Sequence, residues 1–198
     1  MKLYYSPGAC SLTQHILLGM SGLPFTLEKV DLKTKKTEHN RNFLEISPKG
    51  QVPSLELEDG TILTENIAIA QYIADKVPAA NLLAPIGHIE RYQTLSWLSY
   101  VATELHKAYG PLFRSQIQAE KDAAIASLEH KYESLDAELK HRQFIASEHF
   151  TIADAYLYVV LRWRKIIPNL PAYPNIDLFM QRIEALPAVK KALTQEGL

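Results

Sequence analysis

The chain has a single cysteine, Cys10, so it can form no internal disulfide and no multi-cysteine metal site. It lacks an excess of charge of either sign: 21 Lys plus Arg against 22 Asp plus Glu leave a formal net charge of −1. No positive field is available to hold a phosphate backbone or an anionic lipid surface, which argues against nucleic-acid and membrane partners. Long apolar runs are also missing. The longest strongly apolar stretch, residues 155–161, stops at Arg162, far short of the roughly 20 residues a spanning helix needs. The seven histidines have no H-E-x-x-H or C-x-x-C companion, and the eight glycines are scattered rather than gathered into a phosphate loop. Neither a metal centre nor a nucleotide site is indicated. No secretory pattern opens the chain, so a cytoplasmic location is the expectation.

What is present fits a folded globular protein. The 198 residues are 47% apolar and 22% charged, enough chain for two modest domains. Glycine and proline punctuate the two parts differently: five of the eight glycines fall in residues 1–60, whereas residues 112–167 contain neither Gly nor Pro. Short elements with turns are expected first and long helices later. Residues 3–5 read as a strand, residues 10 or 11 to 22 as a helix stopping at Gly22, and residues 26–30 as a second strand. After a loop with room for a short helix, residues 54–63 read as a hairpin turning at Asp59-Gly60 in a type I′ turn, and residues 65–77 as a helix. The order β-α-β then β-β-α gives an α/β domain at 1–77, a linker at 78–86 and an all-helical domain at 87–198. In the second part Ile125, Leu128, Tyr132, Leu135 and Leu139 make one helical stripe. Residues 152–161 are apolar nearly all round, as in a helix at the centre of a bundle.

Three features could carry chemistry. Cys10 stands after a strand and at the expected start of a helix, where unpaired N–H groups and the helix dipole favour a thiolate. The dipole supplies only about 0.3–1 kcal/mol, so a second positive or donor group is needed; as a plain residue, Cys10 is a small buried hydrophobe. Tyr5 and Ser11 are rival hydroxyl donors. Second, Gly50-Gln51-Val52-Pro53-Ser54 precedes the hairpin; were Val52–Pro53 cis, the Val52 backbone would be offered to an extended ligand, and otherwise Pro53 is an ordinary turn residue. Third, Thr64-Glu65-Asn66 opens a helix whose amides can hold a carboxylate while Glu65 holds an ammonium group, a pairing suited to a zwitterionic amino-acid end. The same residues serve equally well as a helix cap.

Taken in order, Met1-Lys2-Leu3-Tyr4-Tyr5-Ser6-Pro7-Gly8-Ala9-Cys10-Ser11, Pro48-Lys49-Gly50-Gln51-Val52-Pro53 and Thr64-Glu65-Asn66 resemble the thioredoxin-like half of a cytosolic glutathione transferase. Thr103-Glu104-Leu105-His106-Lys107 and Phe150-Thr151-Ile152-Ala153-Asp154-Ala155 resemble its helical half, and Cys10 with His106 is similar to the bacterial beta class. The resemblance implies a thioredoxin-like α/β domain followed by an all-α domain, glutathione as co-substrate with no further cofactor, a small hydrophobic electrophile as second substrate, a homodimer, and a detoxifying transferase with its active site at the cleft between domains. It implies that Val52 pairs with the cysteinyl part of glutathione with Pro53 cis, and that Glu65 and Asn66 take the γ-glutamyl end. One lysine of Lys33, Lys35 and Lys36, here Lys35, would reach the glycine carboxylate. Cys10 would lie close to the glutathione sulfur. Ser99, Thr103 and His106, spaced i, i+4, i+7, would share one helix face from which His106 donates to a sulfur, with Lys107 at the rim. The family commonly has Asn at the place of Ser99 and Gly at that of Ser147. Tyr109, Phe113, Tyr156 and Trp163 are candidates to meet the electrophile. Thr151 and Asp154 read as a structural capping box. Two other functions compete with conjugation: thiol–disulfide exchange through Cys10, resolved by glutathione because position 13 is Thr, and a non-enzymatic carrier or interaction module.

Overall fold

The computed structural model describes residues 1–198 in two compact units, Met1–Leu83 with Leu186–Leu198, and Ala84–Ala185. The first holds a five-stranded mixed sheet made of β1 (Lys2–Tyr5), β2 (Thr26–Asp31), β3 (Lys36–Thr37), β4 (Ser54–Glu56) and β5 (Ile62–Thr64). Their order is β3-β2-β1-β4-β5. β1 and β2 run parallel with Leu3 opposite Leu27, while β4 is antiparallel to both β1 and β5. The parallel pair follows from the crossover through α1 (Leu12–Ser21), as a parallel neighbour requires.

Alternation along β1 sends Tyr4 to one face of the sheet and Leu3 and Tyr5 to the other. Tyr4 packs with Val30, Val52 and Phe43, the last from the short α2 (Phe43–Ile46). α1 packs against α3 (Asn66–Lys76) and against α10 (Pro187–Glu196) at the chain's end. Sequence reading placed residues 187–198 with the helical part; contacts place them with the sheet. A buried polar link joins them, beside the buried Val189, Ala192 and Leu193 of α10. His15 Nδ1 lies 2.9 Å from Glu196 Oε1, and the other Glu196 oxygen accepts the Gly8 N–H at 2.9 Å. Buried charges and donors need such partners.

The hairpin differs from the expected type I′ turn. Its strands end at Glu56 and resume at Ile62, the Thr61 carbonyl accepts the Leu57 N–H at 2.9 Å, and only Gly60 is left-handed, at φ 83°. The Asp59 carboxylate accepts the Thr61 N–H at 2.9 Å, a local bond that favours the wider loop.

The second unit is helical: α4 (Ile89–Tyr100), a π-helical turn over Val101–Leu105, single turns α5 (His106–Ala108) and α6 (Gly110–Arg114), α7 (Gln118–Leu139), α8 (Ile152–Leu161) and α9 (Pro174–Glu184). Every residue of α8 is buried, as its all-round apolar sequence predicts, and α4 and α9 pack on it. The Asp154 carboxylate secures its start, accepting the N–H of Ile145 at 2.7 Å and the N–H and hydroxyl of Thr151 at 2.8 and 2.7 Å. Burial nevertheless raises its pKa to about 6. No helix is long and apolar enough to cross a membrane.

Candidate active site

In the first unit the loop before α1 carries Cys10. The loop is pinned at both ends of its turn: Ser11 Oγ accepts the Ser6 N–H at 3.2 Å and donates to the Ser6 carbonyl at 3.3 Å. Ser11 is fully buried, so its hydroxyl shapes the loop and is not presented to a ligand. Tyr5 is engaged elsewhere as well. Its ring lies 6.2 Å from that of His15, and burial with the carboxylates of Glu196 and Glu38 holds its hydroxyl above the ordinary phenol range. The structure therefore does not gather Tyr5 and Ser11 with Cys10 as rival donors.

The Cys10 Sγ donates to the Val52 carbonyl at 3.3 Å. Its thiol is pushed up to about 11, chiefly by burial; Asn66 and the Cys10 and Ser11 amides at the helix start pull the other way and lose. The helix-terminus effect expected from sequence is thus present but outweighed, and Cys10 is a thiol at neutral pH.

The Val52–Pro53 bond is cis. The Val52 carbonyl meets Cys10, while its N–H enters no hydrogen bond within the fold. Gly50 precedes it at φ 60°, a left-handed conformation that is strained for a residue with a side chain. Of the three candidate lysines, Lys35 reaches this stretch, its Nζ donating to the Gly50 carbonyl at 2.7 Å; Lys33 and Lys36 are exposed side chains of the neighbouring turn and strand.

Glu65 stands at φ 75°, ψ 127°, a costly backbone conformation for a residue with a side chain. Its carboxylate pairs with Lys49 at 2.7 Å, and both side chains are exposed. α3 begins immediately after, and its first internal bond runs from the Ile69 N–H to the Glu65 carbonyl. The N–H groups of Asn66, Ile67 and Ala68 precede that bond, a ready anion-binding end. The Asn66 side chain points inward: its Nδ2 donates to the Cys10 carbonyl at 3.0 Å and its Oδ1 takes the Gln14 amide. Asn66 thus joins the start of α3 to the Cys10 loop, leaving its backbone as the part open to a ligand.

In the second unit His106 begins α5 directly after the π-helical turn, its N–H bonding to the Val101 carbonyl five residues back. That wide turn breaks the 3.6-residue spacing on which a shared face for Ser99, Thr103 and His106 was expected. Ser99 and Thr103 are exposed and the Thr103 hydroxyl donates to the Ser99 carbonyl at 3.0 Å, whereas His106 is turned among aromatic rings. Tyr156 and Trp163 meet the imidazole edge-on, and Tyr109 and Phe113, stacked on each other, pack against Trp163. Burial, with the charge of Arg114, lowers the His106 pKa to about 4, so the imidazole is neutral at physiological pH. Sequence reading missed Lys49, Arg114 and the hydroxyl of Tyr156; no local pattern marks them, because each acts on a residue brought near by folding.

Comparison with known proteins fits both halves. Residues 8–76 match the family model for the glutathione S-transferase N-terminal domain, and residues 94–187 match that for the C-terminal domain. Over the full length of both chains the protein is 50% identical to glutathione S-transferase GstA of Escherichia coli O157:H7. A bacterial beta class glutathione S-transferase of Sphingomonas chungbukensis superposes with a TM-score of 0.97 at 44% identity, and a sphingomonad glutathione S-transferase complexed with glutathione with 0.96 at 44%, each covering 100% of both chains. With a thioredoxin-like sheet, a cis Val52–Pro53 edge and matches across both halves, this chain belongs to the glutathione S-transferase family.

Proposed function

We propose that this glutathione transferase binds glutathione extended along residues 50–53 and the start of α3, and conjugates its sulfur to small hydrophobic electrophiles. The observation that carries the reading is the convergence at one stretch of backbone: an unused Val52 N–H, the Cys10 thiol on the Val52 carbonyl and the Lys35 ammonium on the Gly50 carbonyl. On this reading Val52 pairs with the cysteinyl segment, and Lys35 takes the glycine carboxylate. The α3 amides take the γ-glutamyl carboxylate, while Glu65 exchanges Lys49 for the γ-glutamyl ammonium.

A free thiol is only a few per cent thiolate at neutral pH, so the enzyme gains by stabilising the glutathione anion. A Cys10 that stays protonated is no rival charge to a neighbouring sulfur anion, and it becomes a donor to that anion if its one S–H turns away from the Val52 carbonyl. Neutral His106 can serve such an anion as a donor through one ring nitrogen. The same high Cys10 pKa weighs against Cys10 as the nucleophile of a disulfide exchanger. The aromatic group around half-exposed Phe113 offers the electrophile a flat apolar surface. Assembly as a homodimer and a cytoplasmic location complete the reading.

Calorimetry tests it. Glu65→Ala is expected to weaken glutathione binding about 10-fold or more, the worth of a charge-assisted hydrogen bond; unchanged affinity would remove Glu65 from the site.

A further inference from the structure

Tyr156 lies in the middle of α8, and its residue surface is only 3% exposed. Its hydroxyl sits 2.6 Å from His106 Nδ1, with the two rings perpendicular. The Trp163 ring borders the imidazole from a further side, its centroid 4.8 Å away. The imidazole is therefore gripped at one nitrogen and bordered by two rings.

A neutral imidazole carries one N–H and one lone pair, and the partner of one nitrogen decides what the other presents. A phenol O–H is a stronger acid than an imidazole N–H, and an imidazole nitrogen is a better acceptor than a phenol oxygen. The O–H···N arrangement is accordingly the favoured one. Burial and Arg114 together exclude the doubly protonated ring at physiological pH, so the choice lies between two neutral tautomers.

We propose that Tyr156 is a positioning residue: its hydroxyl donates to His106 Nδ1 and thereby fixes the single ring proton on Nε2. The inference rests on the reading of His106 as a donor to the glutathione sulfur, and it says which nitrogen does the donating and what holds it ready. Removing the hydroxyl lets the proton divide between the two nitrogens. It also takes a hydrogen bond from the neutral form, so the His106 pKa rises.

Long-range proton–nitrogen correlation spectra of histidine-labelled protein test this, with the His106 signals assigned by their loss in His106→Asn. The wild type is expected to show the Nε2–H tautomer alone, and Tyr156→Phe, which keeps the ring and its packing, a mixture. Turnover in Tyr156→Phe is expected to fall about tenfold while the KM for glutathione stays within about twofold, the pattern of a lost orientation and not of lost binding. An Nδ1–H tautomer in the wild type, or a turnover loss in Tyr156→Phe with the tautomer unchanged, would overturn the proposal. Wild-type turnover in His106→Asn would instead overturn the catalytic reading of His106, an outcome separable from the tautomer result.

Discussion

At the scale of single residues, the sequence and its family resemblance pointed to Cys10 and His106 as candidates but not to their charge states. Position at a helix start argues for a lowered thiol pKa, and the Cys10 and Ser11 amides do act in that direction. Burial, which the tertiary fold sets and not the local sequence, outweighs them and decides the outcome. The consequence is measurable because Cys10 is the one cysteine of the chain. Alkylation by iodoacetamide is expected to climb about tenfold per pH unit from pH 7 to 9 with no plateau, since only the thiolate reacts; a plateau below pH 8 would contradict it. For His106 the folded pKa of about 4 lies below the ordinary 6.5. Between these values the unfolded chain binds a proton that the folded chain refuses, so this group's contribution to stability rises with pH, is complete above 6.5 and is lost toward 4. Asp154 works in the opposite sense, its folded pKa of about 6 exceeding 3.8, so that its contribution falls as pH rises through that window. The difference between wild type and His106→Asn in urea melts from pH 4 to 8 isolates the histidine. It should grow with pH up to about 6.5 and then level off.

At the scale of elements, periodicity reads well wherever one face or none meets water. The stripe through α7 and the uniform burial of α8 were both legible, because apolar spacing alone sets them. The π-helical turn was not: nothing in Val101–Leu105 announces that a hydrogen bond will skip one residue, and the face through Ser99, Thr103 and His106 was misjudged for that reason. The hairpin loop was misjudged because an Asp side chain took a backbone partner that a tighter turn would have used otherwise. The capping role of Asp154 was read from spacing, and the structure adds the Ile145 N–H as a third group held by one carboxylate. Asp154→Ala strands those buried donors, each costing about 1–3 kcal/mol. Stability in urea denaturation is expected to fall by about 3 kcal/mol or more, with glutathione affinity of the folded fraction unchanged. A loss under about 1 kcal/mol would mean that the three donors find other partners.

At the scale of the whole molecule, the two-part organisation was legible from the change in glycine and proline usage, and the succession of four of the five strands along the chain from the turn residues between them; the two-residue β3 was not read. The path of the last helix was not, because its partners lie far away in the sequence, as with His15 and Glu196, separated by 181 positions. Assembly belongs to this scale too. Light scattering at micromolar concentration is expected to give the mass of two chains, against 22.4 kDa for one; a single-chain mass throughout would remove the homodimer.

The union of Glu196 with His15 and Gly8 also bears on how the protein comes into being. During synthesis the strands and α1 emerge first, yet the carboxylate that closes over the Gly8 amide follows that amide by 188 positions. The sheet-bearing unit must wait, partly uncovered along α1, while all of Ala84–Ala185 is made. Its completion depends on a helix translated after the whole of the other unit, even though most of it is translated first.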